Sequence, residues 1–360
     1  MKRIYNFSAG PATLPESVLE EASAGVLEIN GSGMSILEVS HRGKDYEAIH
    51  RGAMSTLLQL MGLSPEEYAV LFMGGGASMQ FAQLPMNFLS PGLTADYIHT
   101  GEWSGKAIVE AKRYCTVNTI ASSEAQKFSC IPTEYSLTPG ARYLHITTNN
   151  TIEGTEWAGL PVTGTTPLIA DISSDFLAKE FDFSKFTVMY GGAQKNLGPA
   201  GVTILVGKKA WLIGGNDDIP TMLSYKTHLK ADSLYNTPPA FSIYVLGLVL
   251  KWIEGSGGIA AIEKRNREKA AYIYSALDAH LDVYEPAVTV KEDRSLMNVT
   301  FRLRDENREK DFLAGATQRH MDGLKGHRSV GGFRASIYNA FPVEGCVALA
   351  EYLTEFARKG

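Results

Sequence analysis

A chain of 360 residues with 44% hydrophobic and 20% charged side chains has the make-up of an ordinary globular protein, long enough for a large domain beside a smaller one. Its 34 Lys and Arg against 39 Asp and Glu leave a net charge of -5, which speaks against a nucleic-acid partner, so any basic cluster needs a local purpose. Three widely spaced cysteines (Cys115, Cys130, Cys346) with no Cys-x-x-Cys pair fit a reducing compartment and argue against structural zinc. Met1 to Phe7 leads into no signal-type apolar region, and the longest apolar run, Ile243 to Leu250, is too short for a bilayer. A cytoplasmic protein without a membrane partner or a metal is expected.

In chain order, Asn6 to Pro15 is rich in turn formers and reads as an extended arm. Thr13 and Glu16 read as a capping box around Pro15, opening a helix in which Val18, Leu19, Ala22 and Val26 recur until Asn30-Gly31. Glu38 to Lys44, with His41 and Arg42, reads by itself as a solvated turn, and a helix through Leu57, Leu58 and Met61 follows. Tyr68 to Met73 is a buried-type strand that runs into Gly74-Gly75-Gly76-Ala77-Ser78-Met79 and a helix towards Leu89. Free N–H groups and the helix dipole make such a junction a phosphate cradle, although a tight turn needing glycine explains it equally well. Met79 stands where the dinucleotide fingerprint has its third glycine, and no Gly-Lys-Ser/Thr follows.

Asp96 to Ser104 reads as a strand ending in a polar loop, where Trp103 suits a lid or a platform for an aromatic ring. Tyr143 to Thr147 repeats the pattern and ends at Asn149 to Gly154. Pro167 to Asp171 ends in a carboxylate, and Phe186 to Tyr190 runs into Gly191-Gly192-Ala193-Gln194-Lys195 before Val202 to Val206 resumes. Strand ends at Gly74, Trp103, Thr151, Asp171 and Lys195, at helix-length intervals, predict an α/β fold with a mostly parallel sheet and crossover helices. The C-terminal ends of such strands open on one crevice. There an amine and an acid suit pyridoxal phosphate: Lys195 for the covalent link, Asp171 to keep the ring nitrogen protonated. Singly, each has a plainer reading, as a solvated turn lysine or a helix cap; together and in this order they ask for a ligand.

Leu223 to Phe241 reads as a long irregular stretch before a buried helix, Ile243 to Trp252. Gly255-Ser256-Gly257-Gly258 is the best domain boundary. The expected division is an N-terminal arm over 1–15 associated with the small domain, a large domain over 16–257, and a small α+β domain over 258–360. The helix after the boundary carries Ile259, Ile262, Ala270, Ile273 and Leu277 on one stripe, with Lys264, Arg265, Arg267 and Lys269 expected as a solvated face. Strands such as Met297 to Leu303 then alternate with helices. Leu324 to Ala340 sets His327, Arg328 and Arg334 among glycines in an otherwise apolar segment, and a buried arginine asks for an anion.

NFSAGPATLP, EVSHRGK, GGGASMQF, ADISS, YGGAQKNLGPAG, YNTPPAFSIY and KGHRSVGGFRASIYNA run from one end of the chain to the other. In these stretches the sequence resembles the phosphoserine aminotransferase family, among the class-V aminotransferases of the fold-type-I pyridoxal-phosphate enzymes. The resemblance implies that Lys195 carries the cofactor and shuttles the proton, Asp171 pairs with the pyridine nitrogen, Trp103 stacks on the ring and Thr151 lies near its hydroxyl. It places the cofactor phosphate on Gly76, Ala77 and Ser78 with Gln194 alongside. Asn236 and Thr237 would reach the phosphate of a neighbouring subunit's cofactor, which implies a homodimer with shared active sites. Some family members have Arg-Gly after the triple glycine, where this chain has Ala77-Ser78-Met79.

By the same resemblance Arg334 takes an α-carboxylate, and His41, Arg42, His327 and Arg328 form a second cationic set for a phosphate or a distal carboxylate. The implied reaction is O-phospho-L-serine + 2-oxoglutarate ⇌ 3-phosphohydroxypyruvate + L-glutamate, a ping-pong step of L-serine biosynthesis. The runner-up is a related aminotransferase acting on alanine, serine or glyoxylate, against which the doubled cationic set argues. From another class, a non-catalytic nucleotide-binding α/β protein using Gly74 to Gly76 would be colourless. Ser78 lacks the closing glycine of a nucleophile elbow, and no His-Glu-x-x-His occurs, so hydrolase and metal-enzyme readings are weak.

Overall fold

The structure is a computed structural model and describes residues 3–359; Met1 and Lys2 of the expected arm, and Gly360, lie outside the described residues. The elements follow in order: β1 (Tyr5–Asn6), α1 (Glu16–Leu27), α2 (Lys44–Leu60), β2 (Tyr68–Met73), α3 (Gly76–Phe88), β3 (Thr94–His99), α4 (Glu102–Ala111), β4 (Thr116–Ser122) and β5 (Leu144–Thr147). Next come β6 (Leu168–Asp171), β7 (Phe186–Gly192), β8 (Thr203–Lys208), α5 (Lys209–Ile213), α6 (Tyr225–Lys230), α7 (Ala240–Gly255) and α8 (Gly258–Asp278). The chain closes with β9 (Tyr284–Pro286), β10 (Asn298–Leu303), α9 (Glu309–Gln318), β11 (Met321–Asp322), β12 (Phe333–Ser336) and α10 (Val343–Arg358).

Seven strands form the main sheet in the order β2-β8-β7-β6-β5-β3-β4. Only the two pairs made by β8 are antiparallel, so the mostly parallel sheet is as expected. Both faces are covered, which is why β6 reads as an unbroken apolar run: Leu168 and Ala170 pack on one face and Ile169 on the other. The crossovers differ from expectation. Neither 148–167 nor 172–185 holds an α-helix; a single 3-10 turn, Phe183–Lys185, is the only helical piece. Side chains there reach backbone carbonyls: Thr148 Oγ1 donates to Asp171 O (3.2 Å) and Ser174 Oγ to Asn149 O (2.8 Å), offering the backbone an alternative to helix.

A second, antiparallel sheet, β12-β10-β9, packs with α8, α9 and α10 around Phe301, Phe312, Phe333, Leu349 and Leu353. The arm reaches this core: β1 pairs in parallel with β11, and Phe7 lies 4.5 Å from Phe341 between ring centroids. No capping box forms at α1. Thr13 Oγ1 instead donates to Asn6 O (3.1 Å) and Pro15 stands at the cap position. Leu19 faces outward, because α1 is held close to α7 through Gly25, where an added Cβ would come within 2.6 Å of the Tyr244 hydroxyl. The stretch expected to be irregular, 223–241, holds α6.

The apolar stripe of α8 is buried as expected, but Lys269 does not join a solvated face. It is fully buried, and its Nζ donates to the carbonyls of Ile337 (2.8 Å) and Tyr338 (2.6 Å). A four-carbon stem lets one helical cation cross the core to a strand end, and burial pushes its pKa down to about 7. Arg265 lies over the Trp252 ring at 4.9 Å. Among the described residues no single helix is long and apolar enough to cross a membrane.

Candidate active site

The C-terminal ends of β5, β6 and β7, the first turns of α3 and α4, the arm at Ala9-Gly10, and His327 with Arg334 from the second core enclose a cavity of about 370 Å³. Lys195 enters it just beyond β7. Gly191 lets the end of β7 lie close against the turn after β6, since a Cβ there would stand 2.9 Å from Ser173 Cα. Lys195 Nζ donates to Thr151 Oγ1 at 2.7 Å and sits 5.8 Å from the centroid of the Trp103 ring. Burial lowers its pKa to about 8, opposed by Asp171 and reinforced by Arg334.

Asp171 ends β6 and lines the same cavity. Its Oδ1 accepts from Ser173 N (2.9 Å) and Ser173 Oγ (2.6 Å), whereas Oδ2 accepts no hydrogen bond from the described residues. Burial raises the carboxyl, while the Ser173 bonds and the Lys195 charge pull it back. The acid is thus aimed by one oxygen and open at the other. Trp103 belongs to the first turn of α4 rather than to a loop; Ser104 Oγ accepts from Thr100 N and Gly101 N (both 3.0 Å) and so starts that helix. The flat ring of Trp103 lines the cavity.

At the opposite wall Gly75 (φ 86) and Gly76 (φ 65) adopt the left-handed backbone that opens α3. Its first N–H groups have no helical partner. Gly76, Ala77, Ser78 and Gln194 all line the cavity. The arm lies over Lys195: Ala12 N donates to Gln194 O (2.9 Å), and a Cβ on Gly10 would touch Lys195 Cγ at 3.5 Å.

Arg334, on β12, donates through Nη1 to Thr151 O (3.3 Å), and its buried Nε has no partner. His327 stands beside it, its pKa lowered by burial and by Arg334 and Arg328. One chain thus brings together Lys195, Asp171, Trp103, Gly76, Ala77, Ser78, Thr151, Gln194, His327 and Arg334. It does not bring His41, Arg42, Arg328, Asn236 or Thr237 to this cavity. Arg42 donates through Nε to His41 Nε2 (3.4 Å), and Asn236 turns its side chain to Thr237 O (3.0 Å). Sequence reasoning missed Thr147, Asn149 and Ser173 in the lining. Strand register was the available signal for Thr147, which pairs with Asp171.

A model of the family described as aminotransferase class-V matches residues 4–349. The phosphoserine aminotransferase of Bacillus subtilis (strain 168) is 51% identical over 361 residues, covering 100% of this chain and 99% of its own. That of Niallia circulans is 50% identical over 359 residues, covering 99% of each. Among solved structures, a phosphoserine aminotransferase from Bacillus circulans subsp. alkalophilus aligns with a TM-score of 0.97 at 49% identity, over 100% of this chain and 99% of that one. A phosphoserine aminotransferase with bound PLP from Trichomonas vaginalis aligns with a TM-score of 0.90 at 38% identity, over 98% and 99%.

Proposed function

The chain belongs to the class-V aminotransferase family, and on that premise we propose that it exchanges amino and oxo groups between O-phospho-L-serine and 2-oxoglutarate, in serine biosynthesis. The observation that carries this reading is the meeting of the Lys195 amine, the open oxygen of Asp171 and the Trp103 ring in one enclosed cavity. The donor set fits pyridoxal phosphate, the cofactor of the family: an amine of lowered pKa, a buried carboxylate with one free oxygen, and a helix start lined by glycine for a phosphate. When bound, that group supplies an aldehyde for amines and an electron-poor ring that takes up charge as a Cα–H bond breaks.

The chain's own residues then have separable tasks. Lys195 Nζ, held by Thr151 Oγ1, takes and returns the proton at the substrate Cα. Asp171 Oδ2 holds a proton at the ring nitrogen, with Ser173 fixing the carboxylate plane. Trp103 would cover the ring of a bound cofactor and exclude water. The N–H groups of Gly76, Ala77 and Ser78, with Gln194, would hold its phosphate. Arg334 binds the α-carboxylate common to both substrates, and His327 donates towards the second anion, with Arg328, outside this cavity, as the neighbouring cation.

A second copy of the chain completes the site in this reading. His41, Arg42, Asn236 and Thr237 lie outside the cavity of their own chain, and exposed apolar side chains flank them in sequence: Leu37 (64% exposed) and Tyr235 (50%). The division into an arm over 1–15, a large domain over 16–257 and a small domain over 258–360 belongs to the same proposal. It is supported by the two cores and by the pairing of β1 with β11, although Ile259 and Ile262 pack into the large core, so the cores change within α8 and not at its start. A cytoplasmic location belongs to the proposal too.

Steady-state kinetics with phosphorylated and free serine test the substrate. Free serine leaves the cations of the phosphate pocket without their anion, which costs a few kcal/mol, so kcat/KM should favour phosphoserine by roughly a hundred-fold or more. Equal values would overturn the assignment.

A further inference from the structure

Glu153 is a buried acid for which the tasks above leave no use. It directly follows Thr151 and Ile152, which line the Lys195 cavity, and it is 8% exposed. Its Oε1 accepts from Glu102 N at 2.8 Å, capping the helix that carries Trp103. Its Oε2 is buried with no partner. Glu153 and Arg334 line one cavity together with His327, and Arg334 Nε is also buried without a partner. Burial pushes the Glu153 carboxyl up and the Arg334 guanidinium down, and the charge of each opposes the shift of the other, yet no ion pair joins them among the described residues. The segment itself is pinned to the second sheet: Thr300 Oγ1, on β10, donates to Glu153 O at 2.7 Å.

We propose, resting on the functional reading above, that Glu153 is a positioning residue with two targets: it holds the start of α4, and it is the internal counter-ion against which an incoming α-carboxylate competes for Arg334. A buried guanidinium without an opposite charge nearby is costly. A carboxylate in direct bidentate contact would offset that cost but block the substrate. Held back by the α4 cap, Glu153 acts through its field and leaves the Arg334 donors available. Thr151 and Glu153 thus set Arg334 from one turn, the first by its carbonyl oxygen and the second by its charge.

Glu153→Gln separates the two tasks, since it keeps an acceptor for Glu102 N–H and removes only the charge. Binding of 2-oxoglutarate to the pyridoxal-phosphate-loaded protein, measured by calorimetry, should become roughly three- to ten-fold tighter, as expected for loss of one nearby charge at intermediate dielectric. KM for phosphoserine and for glutamate should fall together, with less change in kcat. Glu153→Ala removes charge and cap, so it should show the same tightening together with altered visible circular dichroism of the bound cofactor. It also decides the point if the Gln variant fails to fold. Unchanged or weaker 2-oxoglutarate binding in a folded variant overturns the proposal. If the wild type does not transaminate phosphoserine, the functional reading fails, while the calorimetric comparison still judges Glu153, because it needs only a bound carboxylate.

Discussion

Lys195 and Thr151 meet at 2.7 Å between Nζ and Oγ1, and the carbonyl of the same threonine receives Arg334 at 3.3 Å. One residue therefore sets the spacing between the amine proposed to move the proton and the cation proposed to hold the carboxylate. In that proposal Cα of a bound amino acid would lie between those two points, the positioning that transamination requires.

Replacing that amine tests its role. Lys195→Ala should lower turnover by roughly a thousand-fold or more, the scale of a lost acid–base group. The fold should persist, since the only side-chain hydrogen bond of the amine among the described residues is to Thr151. Steady-state rates and a melting curve check both halves; substantial remaining turnover would assign the proton to another group.

The depressed pKa of Lys195 gives a pH signature in the cofactor-free protein. Neutral amine is the nucleophile, and burial holds the midpoint at about 8 instead of the ordinary 10.5. Capture of pyridoxal phosphate, followed by rapid mixing, should speed up as pH rises towards that midpoint and level off above it. A rate still climbing near the ordinary lysine value would mean a solvated amine.

Arg334→Leu should raise KM for phosphoserine and glutamate alike, because both carry an α-carboxylate. Loss of a charged donor pair is worth about 2–4 kcal/mol, or roughly a hundred-fold. An effect confined to one substrate would move Arg334 to the distal anion.

Lys269 should leave its mark on stability rather than on catalysis. Its folded pKa, about 7, lies below the ordinary 10.5, so between these values the unfolded chain binds the extra proton and stability rises with pH. Below about 7 both states are charged and the full burial cost is present. Denaturant melts of wild type and Lys269→Met across this window should show a shallower slope in the variant; parallel slopes would place the titration elsewhere.

The proposed sharing of sites between two chains is decided by a mixing experiment. Lys195→Ala chains and chains carrying Asn236→Ala with Thr237→Ala should each be poor alone. Refolded together in equal amounts they should recover about a quarter of wild-type activity, since half of the pairs carry one complete site. No recovery would mean that Asn236 and Thr237 serve their own chain.

Much of this was legible in the residues. Asp171 and Lys195 stand at the ends of runs so apolar that a charge there needed a reason, and β6 and β7 formed where those runs lie. Arg334 announced itself in the same way. The supporting residues did not. Thr147 and Ser173 are common polar types in polar stretches, and only register and the turn after β6 bring them to the acid. Lys269 has the sequence pattern of a solvated helix charge, and only the packing of α8 near the end of β12 buries it. The missing crossover helices go with Thr148 and Ser174, whose side chains donate to the carbonyls of Asp171 and Asn149 in place of a helix-ladder partner. Glu153 was one acid among 39 Asp and Glu until its neighbours were known.

Borohydride reduction of the pyridoxal-phosphate-loaded protein, followed by peptide mass mapping, tests most directly whether one amine anchors the cofactor. The expected result is a yellow protein in which reduction fixes the pyridoxyl mass on Lys195 alone. A colourless protein, or a label on any other lysine, would contradict it.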